Sequence, residues 1–129
     1  IHLMLVENYI QDSLSQALKP FDISLQQFNV LRILRGQKDR PANLSTLNER
    51  MVSRMSNTTR LVDKLIAKKF VRRNTCPENR RKVEIRLTDQ GQQALNLMDQ
   101  AVEDTERKLM NSLDPGQLKQ LNLLLDLIK

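Results

Sequence analysis

The sequence predicts a mainly α-helical fold, a winged helix-turn-helix with a two-stranded β-wing, flanked by N- and C-terminal helices that pair two copies. Three observations predict it. Apolar residues recur at three- and four-residue spacing along most of the chain, and the period changes to two only after Lys69. Aromatic residues are 3% of the chain, with three Gly and four Pro in 129 residues, a composition suited to helices packed on aliphatic side chains. That balance excludes an all-β sandwich, and the length is that of one domain.

Leu3, Val6, Ile10, Leu14, Ala17 and Leu18 draw one stripe down a helix over 1–18, which Lys19-Pro20 ends. Ser24 with Gln27 three residues later is a capping box, and Phe28, Leu31 and Leu34 carry a second helix to Arg35, with Gly36 as its C-cap. Gln37 to Pro41 reads as a loop. Leu44, Leu47 and Met51 give a short third helix, and Val52-Ser53-Arg54 a turn in which Ser53 can accept a backbone N–H. Leu61, Leu65 and Ile66 line one side of a fourth helix, with Asn57, Arg60 and Lys64 largely away from it.

Val83-Glu84-Ile85-Arg86-Leu87 then alternates strictly, and Phe70-Val71-Arg72-Arg73 can pair with it across a charged loop from Asn74 to Lys82, which makes the wing. Thr88 caps a long helix reaching Ser112, weakened only locally by Gly91. Asp114-Pro115-Gly116-Gln117 restarts the chain as a final helix carrying Leu118, Leu121, Leu125 and Ile128. The Leu-rich stripes of the terminal helices exceed what a winged unit can cover, and a homodimer would bury them. The chain is thus read as a single domain over 1–129, with 1–20 and 89–129 as dimerisation helices and 25–88 as the winged lobe.

Charge marks the working face. The net charge is +6, yet eleven Lys or Arg stand against three acids between Arg54 and Arg86, a local +8 that leaves −2 on the other 96 residues. A confined basic surface favours a polyanionic partner. The sole cysteine, Cys76, excludes an internal disulfide and suits a reducing, cytoplasmic interior. No apolar run long enough to span a membrane is present, and Glu7, Asn8, Gln11 and Asp12 follow the apolar start too soon for a signal peptide. Because Ile1 already lies in a helical pattern, residues preceding it are expected.

Ser56, Asn57, Thr59, Arg60 and Lys64 on the fourth helix are types that hydrogen-bond base edges and phosphates in a major groove. Asn57 and Arg60 are the expected base readers, and Ser53 and Arg54 in the preceding turn join them. Glu78-Asn79-Arg80-Arg81-Lys82 puts three consecutive cations, Arg80, Arg81 and Lys82, at the wing tip, where Arg81 suits a narrow minor groove. A solvated polar face is the commoner fate of such residues, but the adjoining hairpin and the local charge point to double-stranded DNA. The same basic wing could instead bind an acidic protein partner.

His2 is the only histidine, so no metal site is expected, and His2 with the distant Cys76 offers no argument for an enzyme. No cofactor is expected either. Tyr9 reads better as a half-buried core residue than as an effector contact, and Cys76 better as an ordinary exposed cysteine than as a redox switch.

The run Met55-Ser56-Asn57-Thr58-Thr59-Arg60-Leu61-Val62-Asp63-Lys64-Leu65, followed by Phe70-Val71-Arg72-Arg73, Asn79-Arg80-Arg81 and Leu87-Thr88-Asp89-Gln90-Gly91, resembles the multiple-antibiotic-resistance regulator (MarR) family. The resemblance covers nearly the whole chain. It implies a homodimer built from the N-terminal and two C-terminal helices, with one recognition helix and one wing per subunit on a pseudo-palindromic operator. It further implies a transcriptional repressor, often responsive to small aromatic or phenolic ligands or oxidants, with Arg81 as the minor-groove residue. Where the family's wing has Asp-x-Arg, this chain has Asn79-Arg80-Arg81. Asn79 can hydrogen-bond Arg81 but lacks the charge that would orient it.

Overall fold

The computed structural model describes residues 1–38, 40, 42–51, 57–76 and 78–129, with the backbone alone for 76 and 79–82. Helix α1 (His2–Leu18) runs into a 3-10 turn, Lys19–Phe21, and Asp22 turns the chain with a left-handed φ of 55°. Helix α2 (Leu25–Gly36) starts at the capping box expected from sequence: Ser24 Oγ accepts from Gln27 N–H at 3.1 Å, and Gln27 Oε1 accepts from Ser24 N–H at 2.8 Å. Its end departs from expectation. Gly36 is the last helical residue, and the left-handed residue beyond it is Lys38, φ 57°.

Helix α3 (Leu44–Arg50) is capped by Asn43, whose Oδ1 accepts from Thr46 N–H at 2.7 Å. Helix α4 (Thr58–Ala67) follows, and Lys69 leaves it in the left-handed region, φ 67°. Strands β1 (Val71–Cys76) and β2 (Asn79–Leu87) pair antiparallel, with Val71 opposite Leu87 and Thr75 opposite Val83. The next pair is Cys76 with Asn79, so Arg80 to Lys82 form a bulge on β2. The charged loop expected from Asn74 to Lys82 is thereby largely converted into strand.

Ala42 adds a third rung beside β2. Its N–H donates to Ile85 O at 3.1 Å and its carbonyl accepts from Ile85 N–H at 2.7 Å. Helix α5 (Asp89–Leu109) begins at Thr88, and α6 (Pro115–Ile128) at the Asp114–Gln117 capping box, both as the sequence indicates.

The core gathers where these elements meet. Phe28 and Leu31 of α2, Leu47 of α3, Val62 and Leu65 of α4, Ile85 of the wing and Leu95 and Met98 of α5 are all at most 2% exposed. Each buried aliphatic side chain of this kind contributes about 1.5–3 kcal/mol, which explains why the strict apolar spacing decides the fold. Helix α1 packs along α5, but buries only Leu18 fully. Leu3, Met4, Leu5, Val6 and Tyr9 lie exposed, as do Leu123, Leu124, Leu127 and Ile128 of α6. Tyr9, expected to be half-buried, is 65% exposed in the isolated chain.

Beyond core packing, polar contacts at two places among the described residues tie α2 and the wing to the long helix. Arg35 of α2 grips Asp99 of α5 through both guanidinium nitrogens, Nη2 lying 3.3 Å from Oδ1. At the wing exit, Thr88 Oγ1 donates to Lys69 O at 2.7 Å and accepts from Gly91 N–H at 2.9 Å.

Candidate nucleic-acid interface

Helix α4 divides cleanly. Thr58, Val62 and Leu65 are buried at spacings of four and three, while Thr59, Arg60, Asp63 and Lys64 are exposed. Asn57 precedes the first turn as its N-cap, with Oδ1 accepting from Arg60 N–H at 3.2 Å. Asn57, Arg60 and Lys64 therefore form one outward row, since residues three and four apart are neighbours on a helix. Asp63, the acid on this face, is 3.3 Å from Arg73 of β1, which offsets a charge that would repel phosphates.

What orients this row was missed in the sequence reading. The Thr58 hydroxyl, on a residue 4% exposed, donates to Asn48 Oδ1 of α3, so the two helices of the helix-turn-helix are joined by a polar stitch beneath the row. A threonine at the first helical position, in phase with Val62 and Leu65, was the available signal. On the other side of α3, the Ala42–Ile85 bridge fastens its leading segment to the wing. The wing strands separate Arg72 from Arg73, and Arg73 takes the α4 side through Asp63. Arg32 of α2 lies over the Phe28 ring, 5.6 Å from its centroid.

Of the expected site residues, Asn57, Thr59, Arg60 and Lys64 are brought together on α4. Ser53, Arg54 and Ser56 lie outside the described residues. Arg80, Arg81 and Lys82 have their backbone in β2, at the bulge, and their side chains lie outside the described set. Among the described residues no cluster of three or more His, Cys, Asp or Glu could hold a metal ion, and no helix is long and apolar enough to cross a membrane.

A helix with a polar basic outer face, stitched to a shorter helix and followed by an antiparallel wing, is the architecture of a winged-helix DNA-binding transcription regulator. Residues 23–83 match the model of the MarR family. The chain is 22% identical over 116 residues to the HTH-type transcriptional repressor IacR of Pseudomonas putida, a match covering 90% of this chain and 68% of the relative. A mutant MarR from E. coli complexed with operator DNA is similar at a TM-score of 0.85 and 26% identity, over 98% of this chain and 89% of that one. BpsR of Bordetella bronchiseptica, studied for the regulation of its DNA binding by 6-hydroxynicotinic acid, shares the fold at a TM-score of 0.84 and 21% identity, over 98% and 89% of the two chains. Residues 23–83 thus carry a MarR-family domain, and the chain as a whole shares the fold of MarR-family transcription regulators.

Proposed function

We propose that this chain is a homodimeric, sequence-specific repressor of the cytoplasm whose hold on a pseudo-palindromic operator is relieved by a small-molecule effector. The carrying observation is the exposed Asn57, Arg60 and Lys64 row on a helix whose opposite face is buried. In this reading residues 25–88 form the DNA-binding lobe, and 1–20 and 89–129 hold the dimer together. Ser53, Arg54, Ser56, Asn57, Thr59, Arg60 and Lys64 meet the major groove, while Arg80, Arg81 and Lys82 of the wing meet the minor groove.

The cap geometry sharpens the division of labour. A bidentate asparagine contact to adenine uses both the oxygen and the nitrogen of the amide. Asn57 Oδ1 already accepts from Arg60 N–H, which fixes the direction of the amide and leaves its nitrogen and one remaining oxygen lone pair for a base, beside the unencumbered Arg60. Lys64, one turn further on, suits a phosphate.

The unburied apolar faces of α1 and α6 support the homodimer, because monomers rarely expose a contiguous surface of that kind. Repression and effector control are supported by the named relatives, one a repressor and one regulated by an aromatic carboxylic acid. Selection of bound sequences from a random duplex pool tests the proposal. A palindrome with half-sites about one helical turn apart is expected. Absence of tight duplex binding at moderate salt, without the steep salt dependence of phosphate contacts, would overturn it in favour of an acidic protein partner.

A further inference from the structure

The side chains of Thr58 and Asn48 join the two helices of the helix-turn-helix immediately beside the outward row. Thr58 is the first residue of α4, flanked by Asn57, Thr59 and Arg60, and in that first turn it alone is fully buried. Its hydroxyl donates to Asn48 Oδ1 of α3, and among the described residues no other polar side-chain contact links α3 to α4. The anchor on the α3 side is firm, since Leu47 and Met51 are buried.

Apolar contacts resist separation of two helices but carry little directional preference, so Val62 and Leu65 leave α4 free to roll slightly about its axis. A hydrogen bond weakens with angle as well as with distance. A roll of about 10° moves atoms about 5–6 Å from a helix axis by about 1 Å, enough to carry a base contact out of the hydrogen-bond range of about 2.7–3.2 Å. A lysine on its flexible stem follows such a roll and keeps its phosphate. The Asn57 cap cannot prevent the roll, because its bond to Arg60 N–H lies within the first turn and rotates with it. Arg73 restrains the middle of the helix from the wing side, through its exposed pair with Asp63.

We infer that Asn48 is a positioning residue for sequence recognition: through Thr58 it fixes the roll of the first turn of α4, and so the alignment of Asn57, Thr59 and Arg60 on the base edges. The inference rests on the functional reading above, in which that row meets the major groove. It separates discrimination from affinity. Loss of the bond leaves every charge in place, and with the charges the phosphate-driven hold on any duplex. Asn48 is exposed, so its oxygen turns to water when Thr58 no longer donates, and no buried polar group is stranded.

Binding of the selected operator and of random duplex by wild type, Asn48→Ala, Thr58→Val, the double variant and Thr58→Ser provides the test. Both single variants should lose about tenfold in operator affinity, the size of one base contact, with random-duplex affinity within about twofold of wild type. The double variant should bind no more weakly than either single one, as two partners in one bond require. Thr58→Ser, which keeps the hydroxyl, should bind operator as wild type does. Alanine is the best helix former, so Asn48→Ala at its exposed position keeps the test open should Thr58→Val misfold.

Hydrogen exchange without DNA reads the same bond independently. The Arg60 and Leu61 amides, which close the first turn on Asn57, should exchange about tenfold faster in Asn48→Ala, with the Leu65 amide unchanged. Undiminished operator affinity, equal losses on both duplexes, additive losses in the double variant, or unchanged exchange at Arg60 and Leu61 would overturn the assignment. A wild-type chain that binds no duplex would strike the regulator reading, while the exchange result still reports whether Asn48 holds the turn.

Discussion

A β-carbon built on Gly91 would sit 2.1 Å from the carbonyl oxygen of Phe70, far inside van der Waals contact. The close approach is not incidental, because Phe70 O also accepts from Thr88 N–H at 3.0 Å and cannot swing aside without releasing it. Gly91→Ala is therefore expected to destabilise the fold by about 3 kcal/mol, despite the higher helix propensity of alanine. Urea unfolding should show the midpoint falling with little change in slope. A variant as stable as wild type would contradict the crowding.

Arg60→Ala should lower affinity for the selected operator by roughly 1–3 kcal/mol and relax sequence preference at the bases it faces. Lys64→Ala should weaken operator and random duplex alike and reduce the slope of log K against log salt by about 0.9. Equal losses on both duplexes for Arg60→Ala would remove it from base reading.

The Arg35–Asp99 pair joins the lobe to α5, and both side chains keep part of their exposure, 33% and 26%. Solvent screening limits its worth to about 1 kcal/mol. A double-mutant cycle of Arg35→Gln and Asp99→Asn should return a coupling energy of that size in thermal or urea unfolding. Strict additivity would show that the contact is energetically silent.

Leu121, Leu124 and Ile128 share one face of α6 at helical spacing and stand exposed in the single chain. Replacing Leu121 and Leu124 together by Glu should raise the dimer dissociation constant by roughly a hundredfold or more. Sedimentation velocity would register monomer at micromolar concentration, and operator affinity should fall with it. A variant that stays dimeric would place the pairing surface elsewhere.

What could be read from the sequence was what short range decides. The boxes at Ser24/Gln27 and Asp114/Gln117, and the Thr88 cap, each span three or four residues and act on the backbone beside them. The alternation from Val83 to Leu87 likewise announced the strand, as the three- and four-residue spacing announced α4. Contacts distant in sequence were hidden. Ala42 gives no strand signal of its own and becomes a rung only because Ile85 passes beside it. Gly91 looked like a mild helix defect until Phe70 was placed against it, and Asn48 resembled any polar residue until Thr58 was buried above it. Tyr9 was misjudged for a different reason, since its surroundings within one chain leave it open.

Thr88 welds the wing exit to the head of α5 with three bonds: its N–H to Phe70 O, its hydroxyl to Lys69 O, and Gly91 N–H to that hydroxyl. Downstream of the weld, α5 extends 21 residues, about 30 Å at 1.5 Å per residue. A joint so stiff at the root of so long an arm works as a lever. A tilt of a few degrees at the wing root, if carried rigidly along α5, would displace the far end of the helix by an ångström or more.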